Sequence, residues 1–136
     1  MNAKRFAIGT LAGGVTVIVI ATIIYPFLFA NFFARNVGSA TGVARDSVAF
    51  VPLCLGQLVY GALLTQVIGG WAKVSTAVEG AKVGVVVGML VFLGVGLIQY
   101  GTTNVSNLTA TLVNPIVGAI QMGVAGAVVA AVLRKV

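Results

Sequence analysis

The scarcity of charge is what most constrains the fold of this chain. Val83–Leu133 carries no charged side chain, and Phe6–Ala34 and Ser47–Ala72 are uncharged as well. A helix that crosses a bilayer needs about 20 mainly apolar residues, so each of these stretches is long enough. Hydrophobic residues make up 60% of the chain and charged ones 7%, whereas about 25% of a soluble domain is charged. The sequence therefore predicts an integral membrane protein.

Four membrane spans fit these stretches, in a single all-α domain covering residues 1–136. We place them at about 6–33, 47–68, 81–100 and 114–133. The last span is expected to begin with Asn114 as its N-cap and Pro115 in its first turn, which is a favourable helix start. The polar segment Gly101–Val113 before it is either an outer loop or an early first turn of this span. Pro26 removes a backbone hydrogen bond inside the first span, so we expect the chain to bend beyond it. The predicted fold is an integral membrane four-helix bundle.

Basic residues divide unevenly between the two ends of such a bundle. One end carries six of the eight, namely Lys4, Arg5, Lys73, Lys82, Arg134 and Lys135. The other end carries Arg35 and Arg45. Because cytoplasmic loops of membrane proteins are enriched in Lys and Arg, we predict that both termini face the cytoplasm. Trp71, Tyr100 and Tyr25 fall near span ends, where an interfacial belt of aromatic side chains is expected.

Small residues recur at four-residue spacing in three of the spans. These stripes are Gly9 and Gly13; Gly80, Gly84 and Gly88; and Ala119, Gly123 and Ala127. Lipid provides no hydrophobic drive between helices, so small residues that let two backbones approach closely favour helix pairing. The stripes predict packing within one bundle or association between bundles, and their spacing does not choose between the two.

Uncharged polar residues gather toward one end of the second, third and fourth spans. The candidate cluster is Gln57, Tyr60, Gln99, Tyr100, Thr102, Thr103, Asn104, Ser106, Asn107, Asn114 and Gln121. Polar groups inside a membrane are costly and often functional. In a structural interpretation, Asn104 and Asn107 brace the connection between the last two spans, and Gln99 and Gln121 bond to neighbouring helices. In a functional interpretation, the cluster forms a small polar pocket or a path for a solute.

The segment Tyr100–Leu108 reads Tyr-Gly-Thr-Thr-Asn-Val-Ser-Asn-Leu. It resembles the Tyr-Gly-Thr-x-Asp-Leu-Thr-Asn-Leu signature of a domain-of-unknown-function family of bacterial four-span inner-membrane proteins. Thr111–Asn114 also resembles the Thr-Leu-Val-Asp with which the last span of that family begins. The resemblance implies a four-span fold in the bacterial inner membrane and carries over no activity. This chain has Asn104 and Asn114 where the family has aspartates, so it has lost any cation binding or proton relay that those carboxylates provide.

Composition argues against an enzyme and against a bound cofactor or metal. The chain has no histidine, and Cys54 is its single cysteine, so neither a Ser-His-Asp triad nor a His or Cys metal cluster can form. The two carboxylates, Asp46 and Glu79, are expected at opposite ends of the bundle and cannot act as an acid–base pair. The net charge of +6 lies at span ends rather than on one soluble face, so nucleic acid is not an expected partner.

Two functions remain. The first is a non-catalytic membrane protein that acts by association, as a homo-oligomer or as an accessory subunit of a larger membrane complex, with membrane lipid around it. The alternative is a small channel or transporter for a neutral polar solute or an ion. The two differ in whether Gln57, Gln99, Asn104 and Gln121 bond to one another or face a cavity.

Overall fold

The protein is entirely helical, as the sequence predicts. The computed structural model describes all residues, Met1–Val136. Its helices are α1 (Ala3–Leu28), α2 (Ala30–Arg35), α3 (Phe50–Ala72), α4 (Ala77–Thr102) and α5 (Leu108–Lys135). The four long helices α1, α3, α4 and α5 are long and apolar enough to cross a membrane, and α2 is a short helix on the connection between α1 and α3. The predictions of an all-α fold and of four potential spans are confirmed.

Polar side chains define the first turns of three helices. The Asn2 side chain accepts a hydrogen bond from the backbone N–H of Arg5 at 2.9 Å and caps α1. A capping box of Thr76 and Glu79 opens α4, in which each side chain satisfies a backbone N–H that the helix leaves unpaired. Asn107 caps α5, since its side chain accepts from the N–H of Ala110 at 2.9 Å.

The last helix begins earlier than the sequence indicates. We expected Asn114 as the N-cap and Pro115 in the first turn, but the cap is Asn107 and both residues lie inside α5. The placement of the cap at Asn114 was wrong, and of the two alternatives for the preceding segment the early polar first turn is the one observed, from Leu108 onward. Thr111 shows how this is achieved, because its hydroxyl bonds back to the carbonyl of Asn107 at 2.9 Å.

Pro26 interrupts the first long helix, as expected. Proline has no N–H to donate, and the helix widens here into a π-turn, Ile24–Leu28, in which the N–H of Phe29 donates to the carbonyl of Ile24 at 2.9 Å. The helix then ends and α2 follows in a new direction. Aromatic rings pack together around this bend, with ring centroids 5.2 Å apart for Phe32 and Phe33.

Helix α5 lies at the centre of the bundle. It packs against α1, α3 and α4, and it contributes most of the buried residues. The core contains Val17 from α1, Leu64 and Ile68 from α3, and Met122 and Val129 from α5, all fully buried. Helix α4 packs almost entirely on α5, and α1 packs mainly on α3. Much of α4 is therefore open to its surroundings.

Glycines bring the helices into backbone contact. Gly84 lies against the carbonyl of Met122, and Gly80 and Gly88 lie against the carbonyls of Gly126 and Gly118. Gly118, Met122 and Gly126 of α5 therefore meet the α4 glycines most closely. Gly123 of the predicted stripe also takes part, because its Cα lies 3.1 Å from a Cβ built on Gly84. On α1, the predicted packing residues Gly9 and Gly13 lie against Thr65 and Gly61 of α3.

The predicted stripe on α5 lies beside this contact. Gly123 meets the side chain of Val85, with 2.8 Å between a Cβ built on the glycine and Cγ2 of the valine. Ala119, Gly123 and Ala127 line an open apolar groove of about 400 Å³ between α4 and α5. This stripe therefore faces outward along the α4–α5 seam as well as inward.

Candidate functional site

Tyr25 and Asn114 join α1 to α5 inside the bundle. The Tyr25 hydroxyl donates to Oδ1 of Asn114 at 2.9 Å. The sequence placed Tyr25 in an interfacial belt, but it is half-buried in the π-turn before Pro26. Its ring lies against that of Phe33 of α2, with centroids 5.6 Å apart, and its place in the belt stays a prediction. The turn directs the phenol toward α5.

This hydrogen bond lies at the wall of a polar cavity of about 210 Å³. The cavity is lined by Tyr25, Phe33, Gly96, Gln99, Ser106, Ala110, Thr111 and Asn114. Three members of the predicted polar cluster, Gln99, Ser106 and Asn114, thus line one cavity at the end of the bundle where α4 connects to α5. The hydroxyls of Ser106 and Thr111 lie 3.3 Å apart across it.

A second cavity, of about 380 Å³, lies between α1 and α3 and is mainly apolar. Gln57 and Cys54 line it, together with Tyr25 and Pro26. Tyr25 therefore borders both cavities. Gln57 faces a different space from Gln99, so the structure divides the predicted cluster between two cavities.

Two buried amides have an atom without a hydrogen-bond partner. Gln121 is 1% exposed, and its Nε2 is unpaired. The Oε1 of Gln57 is also buried and unpaired. Leaving a buried polar group unsatisfied costs about 1–3 kcal/mol. The sequence predicted that Gln121 is bonded to neighbouring helices. Its Nε2 lies near the Tyr25 hydroxyl of α1 but makes no hydrogen bond of good geometry.

Asn107 and Asn36 hold the α4–α5 connection and the loop after α2 together. The Nδ2 of Asn107 donates to Oδ1 of Asn36 at 3.0 Å, and Asn36 in turn donates to the carbonyl of Phe32 at 2.9 Å. Backbone pairing continues alongside, because the N–H of Gly38 donates to the carbonyl of Val105 at 2.9 Å. The loop that follows α2 is thereby fastened to the α4–α5 connection.

Asn104 takes part in this connection only through its backbone. Its carbonyl accepts from the N–H of Ala40 at 3.0 Å, whereas its side chain is exposed and forms no hydrogen bond. Thr102 and Thr103 are also exposed, and their hydroxyls bond within α4 to the carbonyls of Ile98 and Gln99. These residues lie outside the cavities.

Two tyrosines of the predicted cluster have other surroundings. Tyr60 stacks on Phe92, with ring centroids 5.7 Å apart. Tyr100 is 44% exposed near the end of α4. Neither lines the polar cavity. The residues predicted as one cluster therefore have different surroundings. Some line one of the two cavities, Gln121 is buried, Tyr60 stacks on Phe92, Asn107 braces the connection, and the others lie on the surface.

Three residues of the site lie outside the predicted polar cluster: Tyr25, Asn36 and Thr111. Each of them contacts a member of that cluster. The signal for Tyr25 was Pro26 directly after it, since a proline inside a long helix marks a place where a side chain can be redirected. Asn36 had no local signal, because its importance comes from Asn107, which is far away in sequence.

The groups that line the polar cavity are uncharged. Its polar groups are the amides and hydroxyls of Gln99, Asn114, Tyr25, Ser106 and Thr111. Amides and hydroxyls donate and accept hydrogen bonds, and none of those here is paired with a basic side chain that would make it a nucleophile.

No family model matches the chain, and no curated protein or solved structure matches it either. The resemblance of Tyr100–Leu108 to a family of bacterial four-span inner-membrane proteins therefore stays a prediction.

Proposed function

We propose that this protein is a non-catalytic membrane protein that acts by association through the seam between α4 and α5. The observation that carries this proposal is the open groove there, which is lined by Ala81, Val85, Ala119, Ile120, Gly123, Val124 and Ala127. Small residues at its floor let the backbone of another helix approach closely, which is the main source of helix affinity in lipid. Helix α4 has almost no partner within the bundle other than α5.

A second copy of this chain is the partner that the groove suits best. Ile120 is 45% exposed and Val124 is 42% exposed. They stand as a ridge next to the small residues Ala119, Gly123 and Ala127. A two-fold interface places the same patch of both subunits together, so the ridge of one copy fills the groove of the other. If the protein is instead an accessory subunit of a larger complex, a different membrane subunit with a similar ridge would bind the same surface.

Blocking the groove is expected to separate the copies. Ile120→Trp places a bulky ring over the groove without entering the core, so the protein should fold and lose its dimer mass. Leu11→Trp is the matched control, because Leu11 is 57% exposed on α1, away from the seam. Light scattering in mild detergent and crosslinking in membranes measure the mass. A wild-type protein that is monomeric in both would contradict the homo-oligomer.

Orientation and location are part of the proposal. Six of the eight basic residues lie at the end where α1 begins and α5 ends, and this bias supports cytoplasmic termini. The resemblance described above supports the bacterial inner membrane.

Cysteine labelling is expected to read out this orientation. In a protein without Cys54, a cysteine at Ser39 should react with an impermeant reagent added outside the cell. A cysteine at Ser75 should react only after the membrane is opened. The opposite pattern would show that the protein is inserted the other way.

A solute path is the second candidate, and the unpaired amides of Gln121 and Gln57 favour it. A polar group that is costly to bury is often kept because a water, ion or solute uses it. The association proposal requires that reconstituted protein conducts nothing. Flux through wild-type liposomes that disappears in Gln121→Leu, in a protein that remains folded and monomeric, would replace association with a pathway.

A further inference from the structure

A basic pocket lies at the end of the bundle where the chain begins and ends. Its volume is about 350 Å³, and it is lined by Met1, Arg5, Gly69, Lys73, Val74, Ser75, Leu133 and Arg134. Three helix ends meet here: the first turn of α1, the end of α3 and the last turn of α5. The pocket is separate from both cavities that Tyr25 borders.

The pocket's positive charge is not neutralised by the protein. Arg5, Lys73 and Arg134 line it, and no acidic residue does. Of the two acids in the chain, Asp46 lies in the connection before α3, at the opposite end. Glu79 lies at the same end of the bundle but does not line the pocket; its carboxylate points to Thr76, whose hydroxyl donates to it at 2.8 Å.

The helix ends offset only part of this charge. The C-termini of α3 and α5 each supply about half a negative charge, and the N-terminus of α1 supplies about half a positive charge. Three full side-chain charges exceed that contribution. One of them is also used structurally, because Nη2 of Arg5 donates to the carbonyl of Leu133 at 2.7 Å. The side chains of Lys73 and Arg134 form no hydrogen bond within the protein.

Two features of the backbone place the side chains of Arg5 and Lys73 at the pocket. The bond to Leu133 fixes the guanidinium of Arg5, yet its Nε is buried and has no partner. Lys73 ends α3 with a left-handed backbone, φ 52°, a conformation that costs a non-glycine residue about 1–2 kcal/mol. Glycine is the usual residue at such a site, and lysine here places an ammonium group at the pocket.

We propose that this basic pocket binds a phosphate group, and that its position favours the phosphate of an anionic phospholipid. The uncharged stretch of α1 begins directly after Arg5, and Trp71, which is 69% exposed, precedes Lys73 at the end of α3. Exposed tryptophan marks the headgroup level of a membrane. Basic pockets between membrane helices are recognised sites for anionic headgroups. Two or more cations around one phosphate provide charge-assisted hydrogen bonds, which are about twice as strong as neutral ones.

The test measures thermal stability of the full chain in neutral detergent as lipid is added. Phosphatidylglycerol should raise the melting temperature, and zwitterionic phosphatidylcholine should raise it much less. Lys73→Gln/Arg134→Gln should weaken the apparent affinity for phosphatidylglycerol by about ten-fold or more, because it removes two charged contacts. Neither side chain forms a hydrogen bond in the fold, so the variant should keep the wild-type melting temperature without lipid.

Lys82→Gln/Lys135→Gln is the matched control. It removes the same charge from the same end of the bundle, at exposed residues that do not line the pocket. Retained protection in this control, with loss in the pocket variant, supports the site. Equal loss in both variants would reveal general charge attraction and overturn it, as would the absence of protection in the wild type. Inorganic phosphate tests the source: equal protection by phosphate, lost in the pocket variant alone, supports the site with a soluble anion as its ligand.

Discussion

Gly84→Leu is expected to force α4 away from α5 and to lower the melting temperature of the bundle more than any other single change considered for this protein. A Cβ at Gly84 would overlap the carbonyl of Met122 and lie 3.1 Å from the Cα of Gly123. Both are backbone atoms, so no side chain can rotate to make room. Overpacking a well-packed site costs about 1–3 kcal/mol or more, and a leucine against backbone belongs at the upper end. Circular dichroism during heating in detergent measures the loss.

Gly94→Leu provides the control for this prediction. Gly94 lies on the same helix, and a Cβ there meets nothing within 4 Å. The two substitutions therefore have the same effect on helix propensity and differ only in what the new side chain contacts. Gly94→Leu should melt close to the wild type, or above it, because glycine is about 1 kcal/mol less favourable than the best helix formers. Equal melting temperatures for the two variants would mean that Gly84 does not lie at a helix contact.

The number of spans could be predicted because lipid imposes one simple requirement. Three uncharged stretches, the longest able to hold two helices, leave few other arrangements for a chain of this composition. The α4 stripe was also predictable in its role, since Gly80, Gly84 and Gly88 do pack against another helix. Both signals can be read directly from the sequence: the long stretches without charged residues give the spans, and the glycines at four-residue spacing give the packing face of α4.

Which face of α5 packs against α4 could not be predicted in the same way. Small residues occupy two adjacent faces of this helix, Gly118 and Gly126 on one and Ala119, Gly123 and Ala127 on the other. The first face meets the glycines of α4 most closely, although Met122 stands in its middle, and Gly123 of the second face contacts Val85 beside them. Four-residue spacing favoured the second face because its pattern is unbroken. A helix register depends on how both partners fit, and one helix alone does not contain that information.

The candidate cavity and the basic pocket depend on contacts between distant segments. Tyr25 and Asn114 are joined by a hydrogen bond across the bundle, and Arg5, Lys73 and Arg134 come from three different helices. The sequence indicated that polar residues gather at one end and cations at the other. It could not indicate which of them share a cavity, because that follows from how far each helix extends. Here the early start of α5 at Leu108 moved Asn114 two turns into the helix.

Asn107→Ala is the second large effect we expect, at about 2 kcal/mol of lost stability. The Asn107 side chain caps α5 through the N–H of Ala110, and losing such an N-cap costs about 1 kcal/mol. It also donates to Asn36 at 3.0 Å, a further hydrogen bond worth about 1 kcal/mol. Both contacts are lost together because one amide makes them with its two ends. The melting temperature should fall, and protease cleavage of the loop after α2 should become faster.

Asn104→Ala separates this structural role from a general need for amides in the connection. Asn104 lies three residues away, and only its carbonyl is used, by the N–H of Ala40. Alanine keeps that carbonyl, so stability should change by less than about 0.5 kcal/mol, as for other surface substitutions. Asn107→Asp then tests the two halves of the Asn107 contact, because a carboxylate still caps the helix but cannot donate to Asn36. Its melting temperature should fall between those of wild type and Asn107→Ala. Equal destabilisation by Asn104→Ala and Asn107→Ala would instead show that the connection is held by its composition and not by the specific bond between Asn107 and Asn36.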